Sequence, residues 1–203
     1  MGQELKEFLS SLDTHKKIAA IKTPKQIETV IKFKDRIGGV FLLTGNVNVI
    51  KEYVDLLKNE GLPTFVHIEK IKGLSNDSDG LDFIANYVKP TGIVTTKPSL
   101  IVSARKRKLL TVQRIFMIDT EIIENLPMLL EKNKPDIIEI MPARIPEIIT
   151  ELKKFIKEIP IITGGLLTKE QHAIEALKHG AVAVSTSNLE VWKSELQAGL
   201  IHR

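Results

Sequence analysis

The chain of 203 residues is long enough for one large domain or two small ones, and its 43% hydrophobic and 27% charged residues are typical of a globular protein. It contains no cysteine, which excludes disulfides, thiolate zinc sites and a cysteine nucleophile, and which fits a cytoplasmic protein. No apolar run reaches the length of about 18 residues that a membrane span needs, and a formal charge of +4 does not by itself indicate a nucleic-acid partner.

Short apolar runs alternate with segments of helical period along the whole chain. The first run is followed by apolar residues at Ile27, Val30 and Ile31, a spacing that places them on one face of a helix. The eight apolar runs are, in chain order, "KIAAI" (17–21), "GGVFLLTG" (38–45), "PTFVHIEKI" (63–71), "GIVTT" (92–96), "LLTVQRIF" (109–116), "DIIEIMP" (136–142), "PIITGG" (160–165) and "AVAVSTS" (181–187). A helical segment follows each of them, and Asp119 is a good N-cap for the one through Lys132. The pattern therefore predicts eight strand–helix pairs.

Near-continuous apolar strands indicate burial on both faces, as in parallel sheets. Eight such units predict an α/β protein that forms a compact (β/α)8 TIM-type barrel with short loops. A doubly wound open sheet is the alternative. No linker or break in composition divides the chain, so we expect a single domain over 1–203. The longest polar connection, "KGLSNDSDG" (72–80), is the segment that we expect to be most mobile.

The seventh and eighth runs both end in small and polar residues, Gly164 and Gly165 in one and Ser185, Thr186 and Ser187 in the other. In TIM-type barrels a phosphate commonly binds between these two loops. Free backbone N–H groups at a helix start favour an anion, and glycine lets the backbone approach it. Either segment alone is equally well explained as a tight turn or a helix N-cap. Because both occur together on the last two strands, we predict a phosphate site.

Polar residues near other strand ends predict a pocket at the same end of the barrel. Lys22, His67, Gln113 and Glu139 interrupt or close otherwise apolar strands, where an unpaired polar group is costly to bury. His67 is equally well explained as a hydrogen-bonded core histidine. Glu139 is harder to explain without a function, and its carboxylate could bind hydroxyls or a cation, or act as a base.

The alternation of side chains along a strand links some of these predictions. If His67 points into the barrel, Glu69 on the same strand points there too. If Gln113 points into the barrel, Arg114 points towards the helices, where it could pair with a carboxylate. No spacing of ligands indicates a metal site, and we expect no metal and no cofactor.

Six segments in order along the chain resemble the glycerol-3-phosphate-responsive antiterminators of bacterial glycerol uptake operons. They are "VFLLTG" (40–45), "FVHIEKIKGL" (65–74), "LLTVQRIFMID" (109–119), "PDIIEIMPA" (135–143), "PIITGGL" (160–166) and "GAVAVSTSNLEVW" (180–192). The resemblance implies a cytoplasmic regulator rather than an enzyme. Such a regulator binds glycerol 3-phosphate and acts on the leader of a messenger RNA, preventing early termination of transcription.

The resemblance also implies roles for individual residues. The phosphate role falls on Gly164, Gly165, Thr186 and Ser187, and the glycerol hydroxyls would meet polar groups such as His67, Gln113 and Glu139. Two positions depart from the family pattern. Lys22 stands where similar sequences have arginine, which keeps the charge but loses a planar fork for phosphate. Glu69 stands where aspartate is usual, which changes the reach of the carboxylate.

A basic run, "ARKRK" (104–108), closes the fourth predicted helix and is the candidate RNA contact. Its cationic residues are Arg105, Lys106, Arg107 and Lys108. Lysine and arginine make salt-sensitive contacts with nucleic-acid phosphates. Basic residues in a last helical turn also complement the helix dipole, so their presence has a purely structural explanation as well.

Three functions are compatible with these features. In the first, glycerol 3-phosphate favours an RNA-competent conformation or homodimer of an antiterminator. In the second, the same barrel is a phosphotriose or phosphosugar enzyme, with Glu139 and His67 as acid and base and Lys22 or Lys97 as a nucleophile. In the third, the basic surface binds another protein instead of RNA.

Overall fold

A computed structural model describes residues 2–196 as a closed barrel of eight parallel strands surrounded by helices. The strands are β1 (Lys17–Ile21), β2 (Gly39–Leu42), β3 (Thr64–His67), β4 (Gly92–Thr95), β5 (Leu110–Phe116), β6 (Ile137–Met141), β7 (Ile161–Gly164) and β8 (Ala183–Thr186). Each strand pairs in parallel with the next in the chain, and β8 pairs with β1. The predicted TIM-type barrel is therefore confirmed, and the open sheet is wrong.

Helices follow every strand of the barrel. Within the described residues they are α1 (Gln3–His15), α2 (Lys25–Lys32), α3 (Ile50–Asn59), α4 (Ser78–Phe83), α5 (Pro98–Lys106), α6 (Thr120–Asn133), α7 (Glu147–Leu152), α8 (Glu170–Lys178) and α9 (Leu189–Lys193). A π-helical turn at Ile84–Val88 extends α4. That a single domain spans 1–203 stays a prediction, and residues 1 and 197–203 lie outside the described part of the chain.

Polar side chains and positive backbone angles set the ends of the helices. The predicted N-cap of α6 is confirmed, since the carboxylate of Asp119 accepts from the backbone N–H of Ile122 at 3.1 Å. Asp77, in the long polar connection before α4, accepts from the N–H groups of Asp79 and Gly80 at 3.0 and 3.1 Å. After α3 the chain reverses at Gly61 with a φ of +79°, a conformation that glycine adopts without strain.

Every strand except β1 is shorter than the apolar run that predicts it. The run 38–45 contains only the four residues of β2, and the run 63–71 contains only β3 followed by a 3-10 turn at Ile68–Lys70. The extra residues form the loops at the carboxyl ends of the strands. Glu69 therefore lies on this 3-10 turn rather than on β3.

The interior of the barrel is apolar at its N-terminal end. One side chain from each strand fills it: Ile18, Phe41, Phe65, Val94, Val112, Ile137, Ile162 and Ala183. Helix α1, for which no element is predicted from the sequence, packs Leu5, Phe8 and Leu12 against this cluster. The rings of Phe8 and Phe65 lie 4.6 Å apart between centroids, and a side chain at Gly39 would meet Phe8 at 2.7 Å. Helix α1 therefore closes this end of the barrel, and the opposite end is left for a ligand.

The last helix is tied to the barrel by two buried polar side chains. The indole Nε1 of Trp192 on α9 donates to the carbonyl oxygen of Thr186 at 2.7 Å. Nζ of Lys17 donates to the carbonyl oxygens of Val191 and Trp192 at 3.2 and 3.1 Å, and also to that of Ser194. Burial, with the nearby charge of Arg36, lowers the pKa of Lys17 to about 8. None of the helices over residues 2–196 combines the length and the apolar character that crossing a bilayer requires.

Candidate functional site

The alternation along β5 decides which of two neighbouring polar residues faces the barrel interior. Val112 belongs to the interior cluster, so Arg114 faces inward as well, and Gln113 faces the helices. Gln113 is buried away from the barrel interior, and its Oε1 has no hydrogen-bond partner among residues 2–196. Gln113, which the sequence predicts to meet the ligand, therefore faces away from the barrel interior, and Arg114 faces the interior in its place.

Glu139 forms a buried polar network beneath the carboxyl ends of the strands. Nε of Arg114 donates to Oε2 of Glu139 at 2.6 Å, and Oγ of Ser185 donates to Oε1 of the same carboxylate. Arg114 is 6% exposed and Glu139 is fully buried, so each charge depends on the other. A Cβ atom at Gly164 would clash with Ser185 and would lie 3.0 Å from Oε1 of Glu139. Gly164 therefore makes room for this network.

A cavity of about 590 Å³ opens above this network, at the end of the barrel opposite α1. Its volume falls in the ordinary range for small-molecule sites. Six of the predicted residues line it, namely Lys22, His67, Gly165, Ser185, Thr186 and Ser187. Residues that were not predicted as ligand contacts also line it: Ala20, Leu43, Glu69, Lys70, Thr96, Arg114, Phe116, Met141, Leu166, Leu167 and Thr168. Gly164, Gln113 and Glu139 do not belong to the lining.

The loops after β7 and β8 supply unused backbone donors on one side of this cavity. Gly165 and Leu166 have φ angles of +79° and +58°, and both line the cavity with Ser187. The backbone N–H groups of these three residues donate to no acceptor within the described chain. Gly165 and Ser187 are half-buried, whereas Leu166 is exposed. Half-buried N–H groups normally find an acceptor, so a bound anion could accept from Gly165 and Ser187.

A second polar group, on the far side of the cavity, holds a fixed negative charge. Oε1 of Glu69 accepts from Oγ1 of Thr95 and from N and Oγ1 of Thr96, at 2.8, 2.7 and 2.9 Å. Its Oε2 lies 3.0 Å from Nδ1 of His67. Burial raises the pKa of the Glu69 carboxyl, but these contacts, the one from His67 foremost, outweigh it and hold the pKa well below its usual range. Glu69 is therefore ionised and can accept hydrogen bonds from hydroxyl groups.

Of the groups that the enzyme alternative requires, His67 and Lys22 line the cavity, whereas Glu139 and Lys97 do not. Glu139 is occupied by Arg114 and Ser185, and His67 contacts Glu69 instead. Lys97 precedes α5 outside the cavity lining, and the side chain of Lys22 is exposed at the mouth. No group of three or more His, Cys, Asp or Glu side chains in the described chain could hold a metal ion.

The predicted RNA patch divides into two kinds of residue. Arg107 binds Asp82 through two nitrogen–oxygen contacts of 2.8 Å and donates to Oγ of Ser78 at 2.7 Å, so it joins α5 to α4. Nη1 of Arg105 donates to the carbonyl oxygen of Lys134 at the end of α6. Lys106 and Lys108 are exposed. Arg107 therefore makes structural contacts within the protein, whereas Lys106 and Lys108 are accessible to a partner.

Comparison with known proteins supports a common origin over most of the chain. The family described as glycerol-3-phosphate responsive antiterminator matches residues 17–192. The uncharacterized protein YgcP of Escherichia coli is 31% identical over 175 residues, which covers 86% of this chain and 90% of YgcP. The crystal structure of the glycerol uptake operon antiterminator regulatory protein from Listeria monocytogenes is 30% identical, with a TM-score of 0.82 over 88% of this chain and 95% of its own.

A glycerol uptake operon antiterminator-related protein from Thermotoga maritima is 28% identical, with a TM-score of 0.77 over 88% of this chain and 98% of its own. Enzymes share the barrel as well. The deoxyribose phosphate aldolase of Aeropyrum pernix is 11% identical, with a TM-score of 0.68 over 97% of this chain and 96% of its own, a likeness of fold alone. The match over residues 17–192, together with these relatives, shows that the chain belongs to the glycerol-3-phosphate responsive antiterminator family.

Proposed function

We propose that the cavity binds glycerol 3-phosphate and that the protein then acts on a messenger RNA leader to prevent early termination of transcription. The observation that carries the proposal is the group of free backbone donors at Gly165, Leu166 and Ser187, in a cavity that also holds an ionised carboxylate. Such a cavity offers hydrogen-bond donors to a phosphate and an acceptor to hydroxyl groups. Membership of the family supplies the regulatory context.

The phosphate of the ligand would lie against the loops after β7 and β8. The backbone N–H groups of Gly165 and Ser187 would donate to it, and the hydroxyl of Thr186 lies in the same lining. Lys22 and Lys70 at the mouth supply positive charge that attracts a dianion into the cavity. Lysine serves here as a point charge, without the planar fork that arginine would give.

The glycerol part would extend towards the opposite side of the cavity. Glu69 can accept from a hydroxyl group, and His67 lies beside it. Because Nε of Arg114 is taken by Glu139, its terminal nitrogens are the part of the guanidinium that remains for a ligand. Glu139 would act through Arg114 and Ser185 as a positioning residue rather than as a direct contact.

The regulatory step requires that the ligand bind one state of the protein better than another. Glycerol 3-phosphate would favour an RNA-competent conformation or a homodimer. A ligand with equal affinity for both states would change nothing, however tightly it bound. The function therefore depends on a difference in RNA affinity between the empty and the occupied protein.

The experiment that tests this function measures binding of the leader RNA at one fixed salt concentration, with and without glycerol 3-phosphate. We expect glycerol 3-phosphate to tighten the binding of the leader RNA. We also expect it to raise the melting temperature of the protein, because a ligand at 100 times its Kd adds about 2.7 kcal/mol to the free energy of unfolding. Glycerol and inorganic phosphate, added separately, are the controls for the two halves of the ligand. RNA binding that does not respond to the ligand would contradict the proposal, as would turnover of a triose phosphate or phosphosugar.

A further inference from the structure

A second cavity lies between the C-terminal ends of α5 and α6, at the end of the barrel that α1 closes. It has a volume of about 490 Å³. We call it the basic groove, and its lining residues are Val102, Arg105, Lys106, Lys132, Asn133 and Lys134. Four of these six side chains are cationic, and the part of the chain that the structure describes contributes no carboxylate to the lining.

Three of the four cations have no partner within residues 2–196. Arg105 donates to the carbonyl oxygen of Lys134 and thereby joins the ends of the two helices. The ammonium groups of Lys106, Lys132 and Lys134 make neither a hydrogen bond nor an ion pair with any residue between 2 and 196, and all three lysines are exposed. Like charges held close together repel, so a bound anion would relieve this arrangement.

A buried amide gives independent evidence that the basic groove receives a ligand. Asn133, the last residue of α6, is only 4% exposed and forms part of the lining. Its Nδ2 has no hydrogen-bond acceptor among the described residues. A buried donor without an acceptor is costly. Because Nδ2 is closed to solvent, the amide would have to turn towards the groove for a bound anion to supply the acceptor.

Stabilisation of the helix ends explains only part of this arrangement. Cations near a helix C-terminus interact favourably with its dipole, and Arg105 also binds a terminal carbonyl. The three free lysines donate to no carbonyl oxygen within residues 2–196. The helix dipole therefore explains why these residues are positively charged, but it does not explain why they line the same cavity.

We propose that the basic groove binds phosphates of the RNA backbone, an inference that rests on the proposed antitermination function. The contact surface then differs from the run predicted from the sequence, because Arg107 and Lys108 lie outside the groove lining and Lys132 and Lys134 belong to it. Helices in this barrel run antiparallel to the strands, so the ends of α5 and α6 lie opposite the ligand cavity. The small molecule and the RNA therefore bind at opposite ends of the molecule.

The test compares two variants that each lose three positive charges. One is Lys106→Gln with Lys132→Gln and Lys134→Gln in the basic groove. The matched control is Lys6→Gln with Lys25→Gln and Lys32→Gln, three exposed lysines of α1 and α2 outside the groove. Leader-RNA affinity is measured across a salt series in saturating glycerol 3-phosphate. The melting temperature of each variant with and without glycerol 3-phosphate shows that its fold and ligand cavity are intact.

We expect the groove variant to lose about 100-fold in affinity near 0.1 M salt, and the slope of log affinity against log salt to fall by about 3. The control variant should keep most of the RNA affinity and most of the salt dependence of the wild type. Equal losses in the two variants, or an unchanged groove variant beside a wild-type protein that binds RNA, would overturn the groove while leaving the antitermination function in place. A wild-type protein that binds no leader RNA with or without glycerol 3-phosphate would overturn both the groove and the antitermination function. If the groove variant then lost the binding of a protein partner that the control variant kept, the groove would be a protein-binding surface.

Discussion

Glu139 shows how a single buried residue organises the ligand cavity without entering it. Its two carboxylate oxygens bind Arg114 on one side and Ser185 on the other, and the missing side chain of Gly164 leaves the space for them. Both Arg114 and Ser185 line the cavity above. The shape and the charge of the cavity floor therefore depend on a carboxylate that is fully buried.

Replacing Glu139→Gln tests this dependence. The amide keeps the size of the side chain but leaves the buried guanidinium of Arg114 without a counter-charge, so we expect a loss of about 3–5 kcal/mol in the free energy of unfolding, measured by urea denaturation. Glu60→Gln is the control, because Glu60 forms a half-exposed pair with Lys34 at 2.9 Å, and ion pairs that solvent can reach contribute little to stability. Equal effects of the two substitutions would contradict the role of Glu139.

At the residue scale, the sequence predicts the lining from the loops after β7 and β8 better than the lining on the side of Glu69. Small and hydroxyl residues after the last two strands have a recognisable pattern, and Gly165, Thr186 and Ser187 do line the cavity. Gln113 and Arg114 could not be distinguished, because β5 carries apolar residues on both of its faces and so gives no sign of which face is inside. The contact between His67 and Glu69 depends on a turn that alternation does not predict.

Helix α1 shows what the repeating pattern of elements leaves out. Eight strand–helix pairs could be predicted because in each pair a continuous apolar run is followed by apolar residues at helical spacing. Helix α1 precedes the first strand and belongs to no pair. The ends of the strands were placed too far along the chain, since apolar residues such as Leu43 continue into the loops and line the cavity. The surface on which α1 packs is formed by all eight strands, so its position cannot be predicted from the sequence of α1 alone.

Replacing Phe8→Ala tests whether α1 closes the barrel. Phe8 is 1% exposed and packs against Phe65 and Gly39 in the interior. We expect a loss of about 3–5 kcal/mol in the free energy of unfolding, as for other buried aromatic side chains. Lys6→Ala, an exposed change on the same helix, should alter it by no more than about 0.5 kcal/mol. If Phe8→Ala is as mild as the control, α1 does not close the barrel.

Lys17 joins β1 to the end of α9, and its ionisation gives this junction a pH dependence. Burial lowers the pKa of Lys17 to about 8, against an ordinary value of 10.5. Between these pH values the unfolded chain binds more protons at this residue than the folded protein does, so the stability contributed here rises with pH. Lys17→Met removes the titration, together with the bonds to the carbonyl groups of α9.

The measurement is the free energy of unfolding of the wild-type protein and of Lys17→Met between pH 7.5 and pH 10, in the same buffer series. Subtracting the two curves removes the other titrating groups. We expect the wild type to gain stability relative to the variant as pH rises above about 8, because the folded protein releases the Lys17 proton at a lower pH than the unfolded chain does. A difference that stays constant or falls over this range would contradict the lowered pKa.

For the molecule as a whole, the two ends of the barrel have different chemistry. The carboxyl ends of the strands form a cavity with unused amides and an ionised carboxylate, and the other end carries the basic groove. Because acidic residues lie in the first turns of most helices and basic residues in the last, this polarity extends around the barrel, for example from Glu121 to Lys132 in α6. This polarity fits the proposed RNA contact at the basic end, whereas the proposed phosphate contact at the other end depends on the backbone amides of the loops after β7 and β8.

The most direct test of the central claim is a crystal structure of the protein with glycerol 3-phosphate. The phosphate should lie within hydrogen-bond distance of the backbone N–H groups of Gly165 and Ser187, with the glycerol hydroxyls on the side of Glu69. A phosphate bound elsewhere, or a cavity that holds only solvent when the ligand is present at saturating concentration, would contradict the account.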